Sequence, residues 1–560
     1  MIEIVEKLGM AIGLHQQGRL DEAGTVYREI LVEEPNHADA LHLSGVIEHQ
    51  RGQHENALSS IEKAIAADCD VMMYHANRAR VLRALGRSAD ATDAARAALN
   101  LEPDNAETLC ELAGALLETA KFKEALTIAN KAHQLAPDMS EARENLAHAQ
   151  FSIGQRYQND GDLTEAETHF RAALETDPAM LEALVNLGNV YRLMYRLGDA
   201  RACYKAAITR DANIAEVHGN LGVVLQEMGE THAAIESYGK ALAMEPKNAE
   251  IRRNRAQALL KLGQFERGWR EFEWRWQTAH FAAIRREWEK PRWDGRAVEG
   301  STVLVHAEQG FGDTLQFARY LPMVAERGAK VVVECPSVLA DLISHVDRVS
   351  QVVDFGTSLP PHDFQIPMMS LPLAFGIGFS NMLGRVPYLS VSDERQREWG
   401  DRLDQGEERA RIGLVWKGSE NHQRNAWRSP GLEVFKPLLD VEGMRWFSLQ
   451  KDGEALDLEA AGVGQRVVSL GADFADFTDT AAAILNLDLV VSADTAVAHL
   501  AGALGRPVWL VLPYANEWRW FEGRKDSPWY PTMRLFHQSA LGDWKGAIAA
   551  VAAGIEKREY

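Results

Sequence analysis

Small residues recur every 34 positions through the first half of this 560-residue chain. They are Ala23, Ala57, Ala91 and Ala125, then Ala166, Ala200, Ala234 and Gly268. Many are followed four residues later by a larger side chain, as at Tyr27, Ile61, Phe170, Tyr204, Tyr238 and Phe272. Residues i and i+4 share one face of a helix. The period therefore predicts a stack of short helices, in which small residues allow close packing and large ones fill the gap to the next unit.

One step of this period, from Ala125 to Ala166, is 41 residues long instead of 34. The segment Asn145-Leu146-Ala147 still keeps the shorter spacing, whereas Ala166 arrives seven residues late. Seven residues are about two helical turns. The sequence therefore predicts one longer helix pair, in the fifth of eight units that cover residues 4–276.

Proline follows many of the units, at Pro35, Pro103, Pro137, Pro178 and Pro246. A 34-residue period with this pattern resembles the tetratricopeptide (TPR) repeat, a pair of antiparallel helices per unit. The resemblance implies an α-helical TPR solenoid over residues 1–276, of the kind that binds protein partners.

A row of asparagines occupies one column of the repeat. Its members are Asn77, Asn145, Asn186, Asn220 and Asn254, with Glu111 interrupting the row. Asparagine is a poor residue in the middle of a helix, so the row predicts an acceptor-binding surface that pairs with the backbone of an extended peptide. The alternative is that asparagine before Leu-Gly is ordinary TPR usage.

All 14 tryptophans lie at or after Trp269, which divides the chain into two unlike halves. The cluster Trp269, Trp274 and Trp276 is expected to dock the solenoid on the second half. Residues 277–298 are expected to form the junction between them.

Composition limits the classes of function. The net charge of −20 argues against general nucleic-acid binding, which needs a basic face. The four cysteines show no paired spacing, so a disulfide framework or zinc site is not expected. No charge-free apolar run approaches the ~20 residues of a membrane span, and the first residues lack the basic start of a signal peptide. These features predict a soluble, cytoplasmic protein.

Strand and helix patterns alternate through the second half, which predicts parallel sheets. Apolar strand-like runs are 302–306, 330–334, 411–416, 446–450, 488–492 and 507–512. The expected architecture is two Rossmann-like domains, at residues 299–400 and 401–560, facing across a cleft.

Two short turns carry the chemistry. The first is 308–314, with Gly310, Gly312 and Asp313, and the second is 492–502. Each follows a strand-like run and opens a helix-like run. Such a turn is a ready anion site, because free N–H groups and the helix dipole point at the ligand.

These residues resemble a GT-B glycosyltransferase close to the bacterial lipopolysaccharide heptosyltransferases. The run from Asp494 to His499 is similar to that family's Asp-Ser/Thr-Gly-x-x-His segment, with Ala496 replacing glycine, and Gly312-Asp313 is similar to its N-terminal Gly-Asp turn. The TPR-plus-transferase layout is also similar to protein O-linked N-acetylglucosamine transferases and flagellin glycosyltransferases.

The resemblance implies residue roles. Asp313 is the expected general base, with Glu308 and His306 in reserve, and Arg428 is the expected cation at the leaving phosphate. The expected donor-binding residues are Gly310, Gly312, Lys417, Gln450, Asp494, Thr495, Ala496 and His499. The alternatives are helix capping for Asp313, Asp494 and Thr495, a satisfied core histidine for His499, and solvated loop cations for segment 417–428. The aromatic loops 518–520 and 526–531 are expected to pack against the first Rossmann-like domain, the alternative being that they stack on a sugar.

The leading hypothesis is a metal-independent, inverting glycosyltransferase that moves a sugar from a nucleotide-sugar to a protein, flagellin being one candidate, delivered by the TPR solenoid. It needs no resident cofactor. One alternative is a TPR scaffold whose transferase half is degenerate, which Ala496 favours. Another is a transferase that acts on glycan or lipid-linked acceptors.

Overall fold

The computed structural model describes residues 2–382, 384–404, 409–418 and 428–560. By contact density the chain forms two compact units, Met1–Asn213 and Ile214–Tyr560. No helix among the described residues has the length and apolar character that crossing a bilayer demands.

The first unit is a series of helix pairs. Their bounds are α1 (Ile2–Gln16), α2 (Leu20–Glu33), α3 (Ala38–Gln50), α4 (His54–Ala67), α5 (Met72–Ala84), α6 (Ser88–Leu101), α7 (Ala106–Glu118), α8 (Phe122–Leu135), α9 (Ser140–Asp160), α10 (Leu163–Thr176), α11 (Leu181–Leu193) and α12 (Leu197–Arg210). The recurring alanines on the second helix of each pair are fully buried, as the 34-residue period predicted.

Glycines on the first helix of a pair make room for the large residues on the second. A Cβ added to Gly188 would lie 2.7 Å from the Tyr204 ring, and one added to Gly45 would lie 2.7 Å from Ile61. Both partners are completely buried and have no space to retreat. The small-then-large pattern of the sequence is therefore a packing rule of the fold.

The longer fifth pair is confirmed. Its first helix, α9, has 21 residues, whereas α7 and α11 have 13. The side chain of Asn145 donates to the carbonyl of Cys110 in the preceding pair at 3.0 Å. A Cβ on Gly154 would lie 2.9 Å from Phe170 in the same pair. The N-terminal part of α9 thus keeps the 34-residue register of the preceding pairs, and its C-terminal part packs in the register of the pairs that follow. About two extra helical turns separate the two parts.

The second unit begins with two further helix pairs. They are α13 (Ala215–Glu227), α14 (Thr231–Met244), α15 (Ala249–Lys261) and α16 (Phe265–Phe272). The indole N–H of Trp269 donates to the carbonyl of Ile377 at 3.1 Å, and its ring meets Phe317 and Trp518 edge to face. The prediction that the tryptophan cluster docks the last repeat on the α/β region is therefore confirmed for Trp269, whereas Trp274 packs against Arg252 of α15 and Trp276 against Phe281.

The α/β region contains two parallel sheets. The first has β1 (Thr302–His306), β2 (Lys330–Cys335), β3 (Val349–Asp354) and β4 (Phe364–Pro367), in the order β3-β2-β1-β4. The short helix α17 (Ala279–Ile284) precedes this sheet. The helices that follow β1 are α18 (Phe311–Phe317), α19 (Leu321–Ala325), α20 (Ser337–Ser344), α21 (Leu371–Phe375) and α22 (Asp393–Leu403). A 3₁₀ turn separates α18 from α19, and Pro322 lies in the first turn of α19, where its missing N–H costs nothing.

The second sheet has six strands: β5 (Ala410–Val415), β6 (Met444–Ser448), β7 (Val467–Ser469), β8 (Leu489–Ser492), β9 (Val508–Leu512) and β10 (Met533–His537). Its helices are α23 (Leu432–Phe435), α24 (Glu454–Ala460), α25 (Phe477–Leu485), α26 (Ala496–Ala503) and α27 (Trp544–Glu556). The order β7-β6-β5-β8-β9-β10 is that of a doubly wound nucleotide-binding sheet. In such sheets ligands bind beyond the carboxyl ends of the strands where the order reverses. Here that point lies between β5 and β8.

Candidate functional site

The two turns singled out from the sequence meet in the structure. Gly310 precedes α18 at the end of β1, and Thr495 precedes α26 at the end of β8. A Cβ added to Gly312 would lie 3.0 Å from the ring of His499 and 3.6 Å from the Cα of Ala496. The two helices therefore approach closely at Gly312, where a side chain would crowd the His499 ring. The structure brings together two segments that lie about 180 residues apart in sequence.

Asp313 stands in the first turn of α18. One carboxylate oxygen accepts a hydrogen bond from the N–H of Gly310 at 3.1 Å, and the other pairs with Arg519. Burial raises the pKa of Asp313 above its ordinary value, and the Arg519 charge acts in the opposite direction. The carboxylate thus caps the start of α18, as the capping alternative predicts, and it lies where the two turns meet.

Arg519 was not predicted from the sequence. It lies in the 3₁₀ turn Trp518–Trp520, and its guanidinium also donates to Gln316 at 2.9 Å and to Glu517 at 2.7 Å. The loop that carries it was expected to pack against the first sheet, and this is confirmed, because Trp518 contacts Phe317. The alternation of aromatic residues with arginine is the only sequence signal for this position.

The two reserve bases are held by other partners. Glu308 forms a two-point ion pair with the fully buried Arg275 at 2.8 and 2.9 Å, and it also accepts from the N–H of Met369. His306 lies 3.2 Å from the side-chain oxygen of Gln365, and burial lowers its pKa to about 4. Both side chains have structural roles, which leaves Asp313 as the base candidate.

Asp494 follows β8 and is buried. Burial and the nearby Glu517 raise its pKa to about 6, with Arg428 and Arg519 acting against them. The indole N–H of Trp520 faces this carboxylate without completing a hydrogen bond of standard geometry. A carboxyl that is easily protonated near neutral pH is typical of a ligand-binding cleft.

Thr495 and Ala496 form the start of α26. The Thr495 hydroxyl lies 3.1 Å from the hydroxyl of Ser492 and makes no capping bond to the helix. The first N–H groups of a helix have no partner within it. The end of β8 therefore presents backbone donors at the switch point of the sheet, where an anion is favoured.

His499 lies one turn into α26 and is buried. Its Nδ1 is 2.9 Å from the Tyr530 hydroxyl, and its ring stacks on Trp520. Burial holds the pKa of His499 well below its ordinary value, so the ring is neutral. Nε2 has no hydrogen-bond partner among the described residues. The histidine is fixed on one side and keeps one nitrogen for a ligand.

The predicted cations lie at the end of β5. Lys417 forms an ion pair with Asp457 at 2.8 Å, and its N–H donates to the side chain of the buried Gln450 at 3.2 Å. Arg428 packs over Gly418, its charge acts on Asp494, and its buried Nε has no hydrogen-bond partner within the described ranges. Arg428 is therefore the better candidate of the two for a phosphate. The candidate loop residues Ser419, Glu420, Asn421, His422 and Arg424 lie outside the described residues.

The asparagine row is in register, since each member is the sixth residue of its helix. In the first unit Asn77 lies 2.7 Å from His42 and Asn145 donates to Cys110, each reaching back to the preceding pair. Asn186 donates to the carbonyl of Glu182 in its own helix. All five are half-buried. The pairing of Asn77 and Asn145 fits ordinary repeat packing, and peptide binding by the row stays a prediction.

Comparison with known proteins agrees with the repeat array. The family model described as a tetratricopeptide repeat matches residues 8–69, 77–140 and 151–215, and one described as a TPR repeat matches 226–263. The chain therefore contains tetratricopeptide repeats, followed by an α/β region with two parallel sheets.

Protein FlbA of Caulobacter vibrioides is 25% identical to this chain over 317 residues, which is 52% of this chain and 53% of FlbA. The chain thus spans about half the length of this curated relative.

Two solved structures illustrate the matches to known folds. A tetratricopeptide repeat protein from Parabacteroides merdae is 18% identical over 46% of this chain and 100% of its own, with a TM-score of 0.30. The C-terminal part of a TPR repeat-containing protein from Cytophaga hutchinsonii is 14% identical over 44% of this chain and 98% of its own, with a TM-score of 0.36.

Proposed function

We propose that this chain is an inverting glycosyltransferase of the GT-B type, whose two parallel sheets are the two Rossmann-like domains. It transfers a sugar from a nucleotide-sugar to a protein recruited by the repeats, without a metal ion. The observation that supports this most is the meeting of Gly312 with His499 and Ala496. It brings two strand–turn–helix segments together near the switch point of a doubly wound parallel sheet.

The proposed donor site lies beyond β5 and β8. The start of α26 and Nε2 of His499 receive the diphosphate, and Arg428 offsets the negative charge that grows on it as the sugar departs. Lys417 and Gln450 line the edge of the proposed donor site next to β5. Because Lys417 is already paired with Asp457, its contribution is smaller than that of Arg428.

The proposed chemistry is a single displacement. The carboxylate of Asp313 takes the proton of the acceptor hydroxyl, the oxygen attacks the anomeric carbon, and the bond to the diphosphate breaks. General-base catalysis requires the carboxylate to be ionised and within hydrogen-bond reach of that hydroxyl. Asp313 lies beside the second turn, which supports this role.

Ala496 is the departure from the heptosyltransferase pattern that most favours a degenerate transferase. In this structure Ala496 begins α26 and takes no left-handed backbone, so no glycine is required there for conformational reasons. A scaffold would bind no nucleotide. Calorimetric titration with nucleoside diphosphates and monophosphates separates the two functions, since binding supports the transferase and its absence supports the scaffold.

Transfer is tested with purified full-length protein, labelled nucleotide-sugars and two classes of acceptor. One class is bacterial protein, with flagellin as the first to try, and the other is lipid-linked glycan. Label on protein supports the proposal. Label on glycan alone would change the acceptor class, and no labelled product with any donor would refute the transferase.

A further inference from the structure

Asp313 is held by a residue that belongs to neither predicted turn. Arg519 reaches it from the 3₁₀ turn Trp518–Trp520, 206 residues later in the chain. The guanidinium itself is fixed on its other edges, by Gln316 at 2.9 Å and Glu517 at 2.7 Å. The backbone of Arg519 is held as well, because the indole N–H of Trp529 donates to its carbonyl at 2.8 Å.

The surroundings explain why a cation is needed here. The side chain of Asp313 is only 17% exposed, and burial disfavours the charged form of a carboxyl. Glu517, which directly precedes the 3₁₀ turn, adds a like charge, and His499 on α26 is neutral. Asp494 at the end of β8 shares Glu517 and Arg519 as charged neighbours. Arg428 acts on Asp494 and His499. Arg519 is the cation in hydrogen-bonding contact with Asp313 among the described residues.

We propose that Arg519 is a positioning residue for Asp313, which fixes the carboxylate at the start of α18 and keeps it ionised so that it can accept a proton. Glu517 and Gln316 hold the guanidinium in place. The inference rests on the proposed function. It adds a residue whose effect on the reaction passes through Asp313 and not through contact with the sugar.

The test compares Arg519→Gln with Arg519→Lys in the full chain, measuring initial rates of transfer against pH. A neighbouring opposite charge shifts a carboxyl pKa by about 1–3 units. Removing it raises the pKa of Asp313, so the acid limb of the kcat/KM profile moves to higher pH by about one unit or more. On that acid limb kcat falls about tenfold for each unit of the shift, while KM for the donor changes little. Arg519→Lys restores most of the acid limb because it keeps the charge.

Two further variants make the result specific. Glu517→Gln removes a negative charge near Asp313, so its acid limb is expected to move to lower pH, opposite to that of Arg519→Gln. It also serves if Arg519→Gln does not fold. Arg524→Gln removes an arginine that pairs with Asp526 on the surface of the same region, and it is expected to leave the profile unchanged. A folded Arg519→Gln variant with the wild-type acid limb would reduce Arg519 to a structural link between the two sheets and overturn the proposal.

A measurement without activity separates this inference from the proposed function. Asp313→Asn, Arg519→Gln and the double variant are compared by thermal unfolding at pH 7. A coupling between the two substitutions supports the ion pair, whereas additive effects overturn the inference even if the enzyme is active. Coupling in a protein that transfers no sugar would overturn the proposed function and the positioning role with it.

Discussion

The repeat array and the two-sheet region are built on different ranges of contact. In residues 1–213 the packing that defines the fold joins residues close in sequence, as where Gly188 faces Tyr204 in the same helix pair. At the candidate site the decisive contacts are remote, as where Asp313 pairs with Arg519. A substitution in the array is expected to act on adjoining pairs. A substitution at Asp313 or Arg519 acts on both sheets, because the contact between these two residues bridges them.

The largest effect is expected at the candidate site, where the contacts join residues that are distant in sequence. Asp313→Asn removes the proposed base and keeps its size, so kcat should fall by about 100-fold or more, in line with the loss of a general base. Nucleotide affinity should stay nearly unchanged, because Asp313 is not proposed to contact the donor. Rate measurements and calorimetry check the two parts. Asp526→Asn, an exposed aspartate, is the control, and full activity in Asp313→Asn would remove Asp313 from its role.

A second prediction concerns the pH dependence of stability. The folded state holds the pKa of Asp494 at about 6, above its ordinary value of 3.8. The folded form therefore binds a proton more tightly, and the stability contributed is present below pH 3.8 and is lost as pH rises through about 6. By pH 7 the loss is on the order of 3 kcal/mol. Asp494→Asn stays neutral, so it should be more stable than the wild type at pH 7.5.

The difference between Asp494→Asn and the wild type should close as pH approaches 4, and thermal unfolding from pH 4 to 8 measures it. Asp440→Asn, at an exposed carboxylate, should show no such trend. A constant difference across this range would mean that Asp494 is not desolvated in the folded protein. The same variant should bind the donor more weakly, so that one substitution raises the stability of the protein and lowers its donor affinity.

The local packing of the repeat array is tested with two glycines in neighbouring helices. Gly188→Ala places a Cβ 2.7 Å from the buried Tyr204 ring and should lower the free energy of unfolding by about 1–3 kcal/mol. Gly198→Ala, in α12, meets nothing within 4 Å and should leave stability unchanged or raise it by up to about 1 kcal/mol. Denaturant unfolding measures both. Equal effects would show that the pairs do not pack as described.

The smallest effect is expected from the asparagine row. Replacing Asn186, Asn220 and Asn254 together with alanine should lower transfer to a protein acceptor while nucleotide affinity is kept. Stability should not fall, since alanine is the better helix former. Transfer assays with protein and small acceptors measure the difference. Unchanged transfer to protein would show that the row serves packing between repeats.

The repeats were predictable because the same pattern of small and large residues recurs about every 34 residues. The change of register before Ala166 is visible as one longer step in that period. Helices α1 to α16 and strands β1, β2, β5, β6, β8 and β9 follow from local periodicity, which depends on neighbours within a few residues. Strands β3, β4, β7 and β10 were not among the predicted runs. Gly312, Asp313 and Asp494 were recognised for a similar reason, since the strand–turn–helix context of each is local.

The tertiary structure alone decided how these pieces act on one another. It placed Gly312 against His499, engaged Lys417 with Asp457, and brought Arg519 to Asp313. No local pattern encodes such pairings, because charge, burial and distance between residues far apart in the chain are set only when the elements pack together. The amino-acid sequence therefore determined which elements form and which residues carry side chains that can bind a ligand or take part in a reaction. The packing of those elements determined which residues are charged, paired or left to meet a ligand.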